Sequence, residues 1–239
     1  LEKSAENGIE VFRTFDALND FNNIEFSIKE VKRIGKHAQG TIAYTTSPVH
    51  NLNTWLDMAK KIEDSGADSL AIKDMAGLLR PFDAYDLVKS LKDSLSIPIH
   101  MQTHATTGMS TATNMKAIEA GIDNIDTSIS SLSMTYGHTA TETMLAIFEG
   151  QDREINLDLD ALEEISVFFK EIREKYSEFE GNLKGVDSTM LVKQVPGGML
   201  SNLESQLKAN KQEDKIDLVK NEIPRVREDF GFPPLVTPA

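Results

Sequence analysis

The stretch Pro98-Ile99-His100-Met101-Gln102-Thr103-His104-Ala105-Thr106-Thr107-Gly108 places polar side chains at every second position. In an extended strand His100, Gln102 and His104 share one face, successive ones about 6.6 Å apart. Imidazole and amide groups on one strand face, beside a Thr-Thr-Gly turn, are the ingredients of a metal site or a polar active site. The same spacing also suits half-buried strand residues satisfied by their neighbours. Lys73 has only small residues, Ser69 and Ala71, on its strand face. That space would let its amine lose its charge, act as a nucleophile, or be carbamylated into a metal ligand; pairing with Asp74 or another carboxylate is the alternative. Arg13 shares a face with Ile9, Val11 and Phe15. Its guanidinium therefore needs a carboxylate, either the protein's or a substrate's. Ser201 follows the Pro196-Gly197-Gly198 turn, and its hydroxyl is either open to chemistry or a helix cap. His50 and His138 are either ligands or loop histidines.

Elements that could hold these groups recur at roughly thirty-residue intervals. Strands are expected over Ile9–Phe15, Gly40–Thr46, Ser69–Lys73, from Pro98, and over Ile122–Ile129. Helices are expected over Phe21–Ile34, Asn53–Asp64, Pro81–Leu95, Ser110–Ala120 and Thr141–Phe148. Leu1–Gly8 reads as the end of a helix closing on a glycine. Alternation of strand and helix is the βα unit of a parallel α/β sheet. Arg13, Asp16, Lys73, Asp74, His104 and Thr106 all fall late in strands or just beyond, which in a (β/α)8 TIM barrel is the edge that does chemistry. No GxGxxG follows a strand, which argues against a dinucleotide fold. Residues 1–155 supply five units. Three more, on the order of ninety residues, would have to precede Leu1 to close a barrel, so N-terminal strands are expected to be missing. Residues 156–239 read as an all-helical extension. Asp160-x-x-Glu163 is a candidate capping box. An apolar stripe from Leu162 to Tyr176 is expected to pack on a neighbour, and Pro224 is expected to break or restart the last helix.

The chain has 239 residues, 40% of them apolar, with a net charge of -13 and no cysteine. Acidity at this level argues against nucleic acid as a partner. Without cysteine there is neither disulfide nor thiolate chemistry, which fits a reducing compartment. No apolar run approaches the length of a membrane span.

Four motifs occur in one order: Val11-Phe12-Arg13-Thr14-Phe15-Asp16-Ala17-Leu18-Asn19-Asp20, Ala71-Ile72-Lys73-Asp74-Met75-Ala76-Gly77-Leu78-Leu79, His104-Ala105-Thr106-Thr107-Gly108-Met109, and Pro196-Gly197-Gly198-Met199. Together they resemble the carboxyltransferase domain of biotin-dependent enzymes, a group that includes pyruvate carboxylase, transcarboxylase and oxaloacetate decarboxylase. The segment Ser133-Met134-Thr135-Tyr136-Gly137-His138 is most similar to the α subunits of the decarboxylases and to separate-subunit pyruvate carboxylases. The resemblance implies a (β/α)8 barrel with a helical C-terminal extension. It implies a divalent metal, zinc foremost, at the C-terminal mouth, with carbamylated Lys73 and His104 among its ligands. Arg13 would hold a keto-acid carboxylate. Ser201 would relay a proton between biotin and the enolate. Biotin would arrive on another domain or subunit. The implied reaction moves carboxylate from oxaloacetate to biotin, as in oxaloacetate decarboxylase. Its reverse toward oxaloacetate, in the B subunit of a two-subunit pyruvate carboxylase, is the alternative. Implied partners are oxaloacetate or pyruvate, a biotinylated carrier, a second copy in a homodimer and, among the decarboxylases, membrane β and γ subunits. The implied location is cytoplasmic, or at the membrane through those subunits.

Two features depart from this pattern: the first strand, which in the family carries an aspartate ligand with a neighbouring arginine and glutamine, is expected to be missing, so at most three of four ligand positions are held here, and one of those is altered. Gln102 stands where the family has the first of two metal-binding histidines, and an amide oxygen is a poorer zinc ligand than imidazole. His100 shares its face but sits about 6.6 Å back along the strand. A metal-free, non-catalytic scaffold is the corresponding reading of another class.

Overall fold

The computed structural model describes residues 1–153, 155–181, 183–188, 190–193 and 197–236, with backbone alone for residues 193 and 197–201. Five strands, β1 (Val11–Thr14), β2 (His37–Ala43), β3 (Ser69–Asp74), β4 (Ile99–Thr103) and β5 (Asn124–Ile125), form one parallel sheet in chain order. Between them run α2 (Phe21–Arg33), α3 (Leu52–Asp64), α4 (Pro81–Ser94) and α5 (Ser110–Glu119), after a short α1 (Glu2–Glu6). Consecutive parallel order, with the right-handed crossovers that such connections almost always take, puts the connecting helices on one face of the sheet and curls it toward a barrel. A doubly wound sheet would instead reverse its strand order midway.

The local causes are readable residue by residue. Asp20 caps α2 by accepting from the Asn22 backbone N–H, and Ile24, Ile28 and Val31 below it are all buried. Asn51 and Thr54 form a reciprocal capping box at α3, whose Trp55, Ala59 and Ile62 are buried. Pro81 opens α4 at a position where the missing N–H is not needed. These helix stripes meet Ala38, Ile42, Leu70, Ile72, Ile99 and Met101 from the outer face of the sheet in one core cluster. Gly40 in β2 is there because nothing larger fits: a Cβ would stand 2.4 Å from Ile62 Cγ2 and 3.0 Å from Ile28 Cδ1.

A device at the N-terminal end of the sheet repeats. Asp68 accepts from the Ala38 backbone N–H at 2.8 Å while pairing with Lys32. Asp123 accepts from Ile99 N–H at 2.7 Å while pairing with Lys92. Each carboxylate follows a Gly-x pair, Gly66-Ala67 and Gly121-Ile122, so helix end, turn and strand start are locked by the same three residues.

Several expectations are corrected. β2 starts three residues earlier than the β-branched run, because Asp68 binds its first turn-facing amide. β5 is two residues long rather than eight; beyond it Ser128 bridges to Ala140 instead. Asp158, not Asp160, caps α7 (Leu159–Lys175), accepting from the amides of residues 160 and 161. The stripe on α7 is only half covered: Leu162, Phe169 and Ile172 are half-buried while Ile165, Phe168 and Tyr176 are exposed. α6 (Thr141–Phe148), α8 (Met190–Lys193), α9 (Gly197–Ala209) and α10 (Ile216–Asp229) complete the chain. Pro224 lies inside α10 without ending it. Anchoring beyond the proline explains this, since buried Arg227 donates to Pro233 O, Thr45 Oγ1 and Thr46 O. No helix among the described residues is long and apolar enough to cross a membrane.

Candidate active site

Strand register gathers the polar residues. Arg13 lies opposite Gln39, and Ala43, Lys73 and Gln102 align across three adjacent strands. The outer face is given to the apolar core, so the inner face and C-terminal edge receive Arg13, Gln39, Lys73, His100, Gln102 and His104.

Arg13 donates through Nε to Gln39 Oε1 at 2.5 Å. Its NH1 and NH2 reach the two oxygens of Asp126 at 2.6 and 3.3 Å. His100 Nε2 lies 2.6 Å from Asp126 Oδ1 and 3.1 Å from Arg13 NH2. A carboxylate only accepts, so this imidazole nitrogen carries its hydrogen toward Asp126. Burial pushes the Asp126 carboxyl up, but hydrogen bonds from His100 and Arg13 outweigh it and hold it well below the usual carboxylate range. Arg13 keeps 30% of its side-chain surface accessible. The cation is therefore steered by protein groups yet open to a ligand.

Beside it Lys73 donates to Gln102 Oε1 at 3.1 Å, with its ammonium 5.2 Å from the Phe15 ring centroid. Burial, then the nearby Arg13 charge, lowers the Lys73 amine's pKa, and Asp126 opposes this. The other end of the Gln102 amide, Nε2, lies 3.3 Å from His104 Nε2. His104 Nδ1 is 2.6 Å from the Tyr136 carbonyl. That oxygen can only accept, so Nδ1 holds the hydrogen and Nε2 offers a lone pair to Gln102. Burial, then the adjacent His138 and also Lys73, push His104 down to about 4, so it is a neutral imidazole at pH 7. His138 packs its ring 4.6 Å from His104 and bonds Thr103 O through Nδ1 at 3.0 Å.

The donors in this cluster are the His104 imidazole with His138 packed beside it, the neutral Gln102 amide and the Lys73 amine, with Asp126 already shared by Arg13 and His100. Among the described residues no group of three or more His, Cys, Asp or Glu converges. Zinc takes four tetrahedral ligands drawn from thiolate, imidazole and carboxylate. This set does not fit it.

Other expectations resolve individually. Lys73 does not pair with Asp74. Asp74 turns to the opposite side, where it is fully buried and accepts from the Leu78 and Leu79 amides and from Thr103 Oγ1. It thereby pins the turn after β3 to β4. That turn passes so close that a Cβ on Gly77, whose φ is +66°, would meet His104 O at 2.6 Å. His50 bonds Ser47 and stacks on Trp55 away from this cluster. Ser201 falls within α9, but its side chain lies outside the described residues, as does Pro196. Sequence reasoning missed Asp126 and Gln39. Asp126 falls mid-strand in the expected Ile122–Ile129 and just past the observed β5, and Gln39 needed the earlier start of β2.

Residues 12–168 match the family model HMGL-like, and residues 190–239 match a conserved carboxylase domain. The chain is 51% identical to the methylmalonyl-CoA carboxyltransferase 5S subunit of Propionibacterium freudenreichii subsp. shermanii, covering 100% of this chain and 48% of that protein. It is 49% identical to the B subunit of pyruvate carboxylase from Methanocaldococcus jannaschii, covering 99% of this chain and 42% of that one. The chain thus spans about half the length of these relatives. The structure of the carboxyl transferase domain from Rhizobium etli pyruvate carboxylase with pyruvate superposes with a TM-score of 0.95 at 32% identity, over 99% of this chain and 41% of that one.

Proposed function

Since the chain belongs to the HMGL-like family, among its biotin-dependent carboxyltransferases, we propose that it forms part of an enzyme that passes carboxylate between a 2-keto acid and biotin. The observation that carries this reading is Arg13: a guanidinium at the strand ends, oriented by Gln39 and Asp126 and still accessible. A planar fork of donors binds a carboxylate bidentately. It would fix the carboxylate next to the keto group and leave the reacting carbon facing the space beside Lys73. Residues 1–155 are the barrel part of this unit and 156–239 its helical extension. Ser201 is the hydroxyl assigned to proton relay between biotin and the enolate, a role suited to a neutral donor and acceptor. Biotin is brought by a carrier on another domain or polypeptide. No step here runs through a metal, because the donor set does not fit zinc.

Oxaloacetate and pyruvate are the proposed pair. The likeness to one polypeptide of a pyruvate carboxylase and to one of a methylmalonyl-CoA carboxyltransferase supports carboxyl transfer on that pair in a multi-subunit enzyme, with a second copy as dimer partner. The segment Ser133–His138, similar to both groups, is equally compatible with a second reading, an oxaloacetate decarboxylase α subunit docking membrane β and γ subunits. Sodium-dependent turnover separates the two. The binding claim is tested by calorimetry of pyruvate with the full-length protein. Wild type is expected to bind, and Arg13→Ala to weaken binding by about 10- to 100-fold, the loss of a charge-assisted pair. Equal affinities for both proteins would overturn the role given to Arg13.

A further inference from the structure

Gln102 makes two hydrogen bonds of opposite sense. Its Oε1 accepts from Lys73 Nζ at 3.1 Å, and its Nε2 lies 3.3 Å from the lone-pair nitrogen of His104. The amide orientation is fixed by both neighbours. Reversing it would set NH2 against an ammonium and oxygen against a lone pair. The His104 lone pair is in turn fixed by the Tyr136 carbonyl on Nδ1. One amide therefore links Lys73 and His104, two residues that the family resemblance places among metal ligands.

We propose that the cation facing the keto oxygen in this protein is the Lys73 ammonium itself, held by Gln102 in place of a metal. This rests on the keto-acid reading above. Gln102 favours the amine over a carbamate. An ammonium donates to Oε1, whereas a carbamate would set an anion against that oxygen. The Phe15 ring beneath Lys73 adds a face that attracts a cation.

The step balances without a redox partner. In oxaloacetate the bond from C3 to the departing carboxylate breaks, and its electron pair becomes the C2–C3 double bond. The carbonyl π pair moves to the C2 oxygen, where Lys73 donates a hydrogen bond without surrendering its proton. The CO2 released is taken up by the ureido nitrogen of biotin on the carrier. The proton leaving that nitrogen goes to C3, giving pyruvate. A preorganised donor at a developing oxyanion contributes about 100- to 1000-fold in rate.

The test uses the full-length protein with its biotinylated carrier. Metal content is measured by elemental mass spectrometry on wild type and Gln102→His, and oxaloacetate decarboxylation is followed before and after dialysis against a chelator. The expected results are less than about 0.1 metal per chain in wild type, turnover unchanged by the chelator, and metal uptake in Gln102→His. Lys73→Met is expected to lower kcat by about 100- to 1000-fold with KM within a few-fold, and Lys73→Arg to keep part of the rate. A carbonyl-13C carbamate resonance, sought by NMR in 13C-bicarbonate, is expected to be missing from wild type. One metal per wild-type chain with turnover abolished by chelation, or a carbamate signal that vanishes in Lys73→Met, would overturn the proposal. Metal and carbamate readings need no turnover, so they decide it even where Lys73→Met does not fold. A protein free of metal that also fails to bind pyruvate would overturn the keto-acid reading and not the metal-free state of the site.

Discussion

Asp126 is the residue that makes the candidate site cohere, since it joins Arg13 and His100 across strands far apart in sequence. Its folded pKa is depressed, with hydrogen bonds from His100 and Arg13 prevailing over burial. A depressed carboxylate contributes stability that is present above its unfolded pKa, about 3.9, and is lost as pH falls below it. Asp126→Asn is therefore expected to cost about 1–2 kcal/mol at pH 7, discounted from a fully buried pair because both side chains are partly accessible. The variant's loss of stability between pH 5 and 2 should be shallower than that of wild type. Urea titrations across that range check this; parallel pH curves would contradict it. At this scale the sequence was legible where a residue's own type sets its need. An arginine on an apolar face needs a carboxylate, and Arg13 has one. It was not legible which carboxylate, because Asp126 meets Arg13 only through the curvature of the sheet. Lys73 and Asp74 illustrate the opposite failure. They are neighbours in sequence, but a strand sends them to opposite faces.

Elements were easier to read than contacts. The buried stripe of α2 followed from three- and four-residue spacing, and every residue in it is buried. Strand ends were read less well, because tertiary partners set them. Asp68 extends β2 at its start, and Asn19 brackets its end by bonding both the N–H and the C=O of Ala43 at 2.9 Å. Neither partner is local. Gly40 in the same strand shows how closely α2 and α3 approach the sheet that carries Gln39 and Thr41. A methyl at residue 40 meets the side chains of two fully buried isoleucines, Ile62 and Ile28. Gly40→Ala is expected to destabilise by about 1–3 kcal/mol, the usual cost of overpacking, while leaving the denaturant m-value unchanged. A neutral or stabilising effect in a urea melt would show that β2 and α3 can separate, which the packing as described does not allow.

For the molecule as a whole, helices on one side and polar strand ends on the other are consequences of a single winding direction. That arrangement was visible in the repeating strand-helix pattern. The C-terminal helices were visible as helices, but their attachment was not. Arg227, from α10, reaches back to the end of β2, and nothing local in its charged helix marks it as the buried one. Across the chain the sequence reports chemistry when a motif keeps its residues close, as Gln102 and His104 are. It is silent when the partner comes from another unit, as with Gln39, Asp126 and Tyr136.

The measurement that bears most directly on the central claim is pyruvate release from oxaloacetate by the full-length protein, with and without its biotinylated carrier. The account predicts release that depends on the carrier and an oxaloacetate KM raised by about 10- to 100-fold in Arg13→Ala. A folded protein that releases no pyruvate in the presence of the carrier, or releases it equally without Arg13, would contradict it.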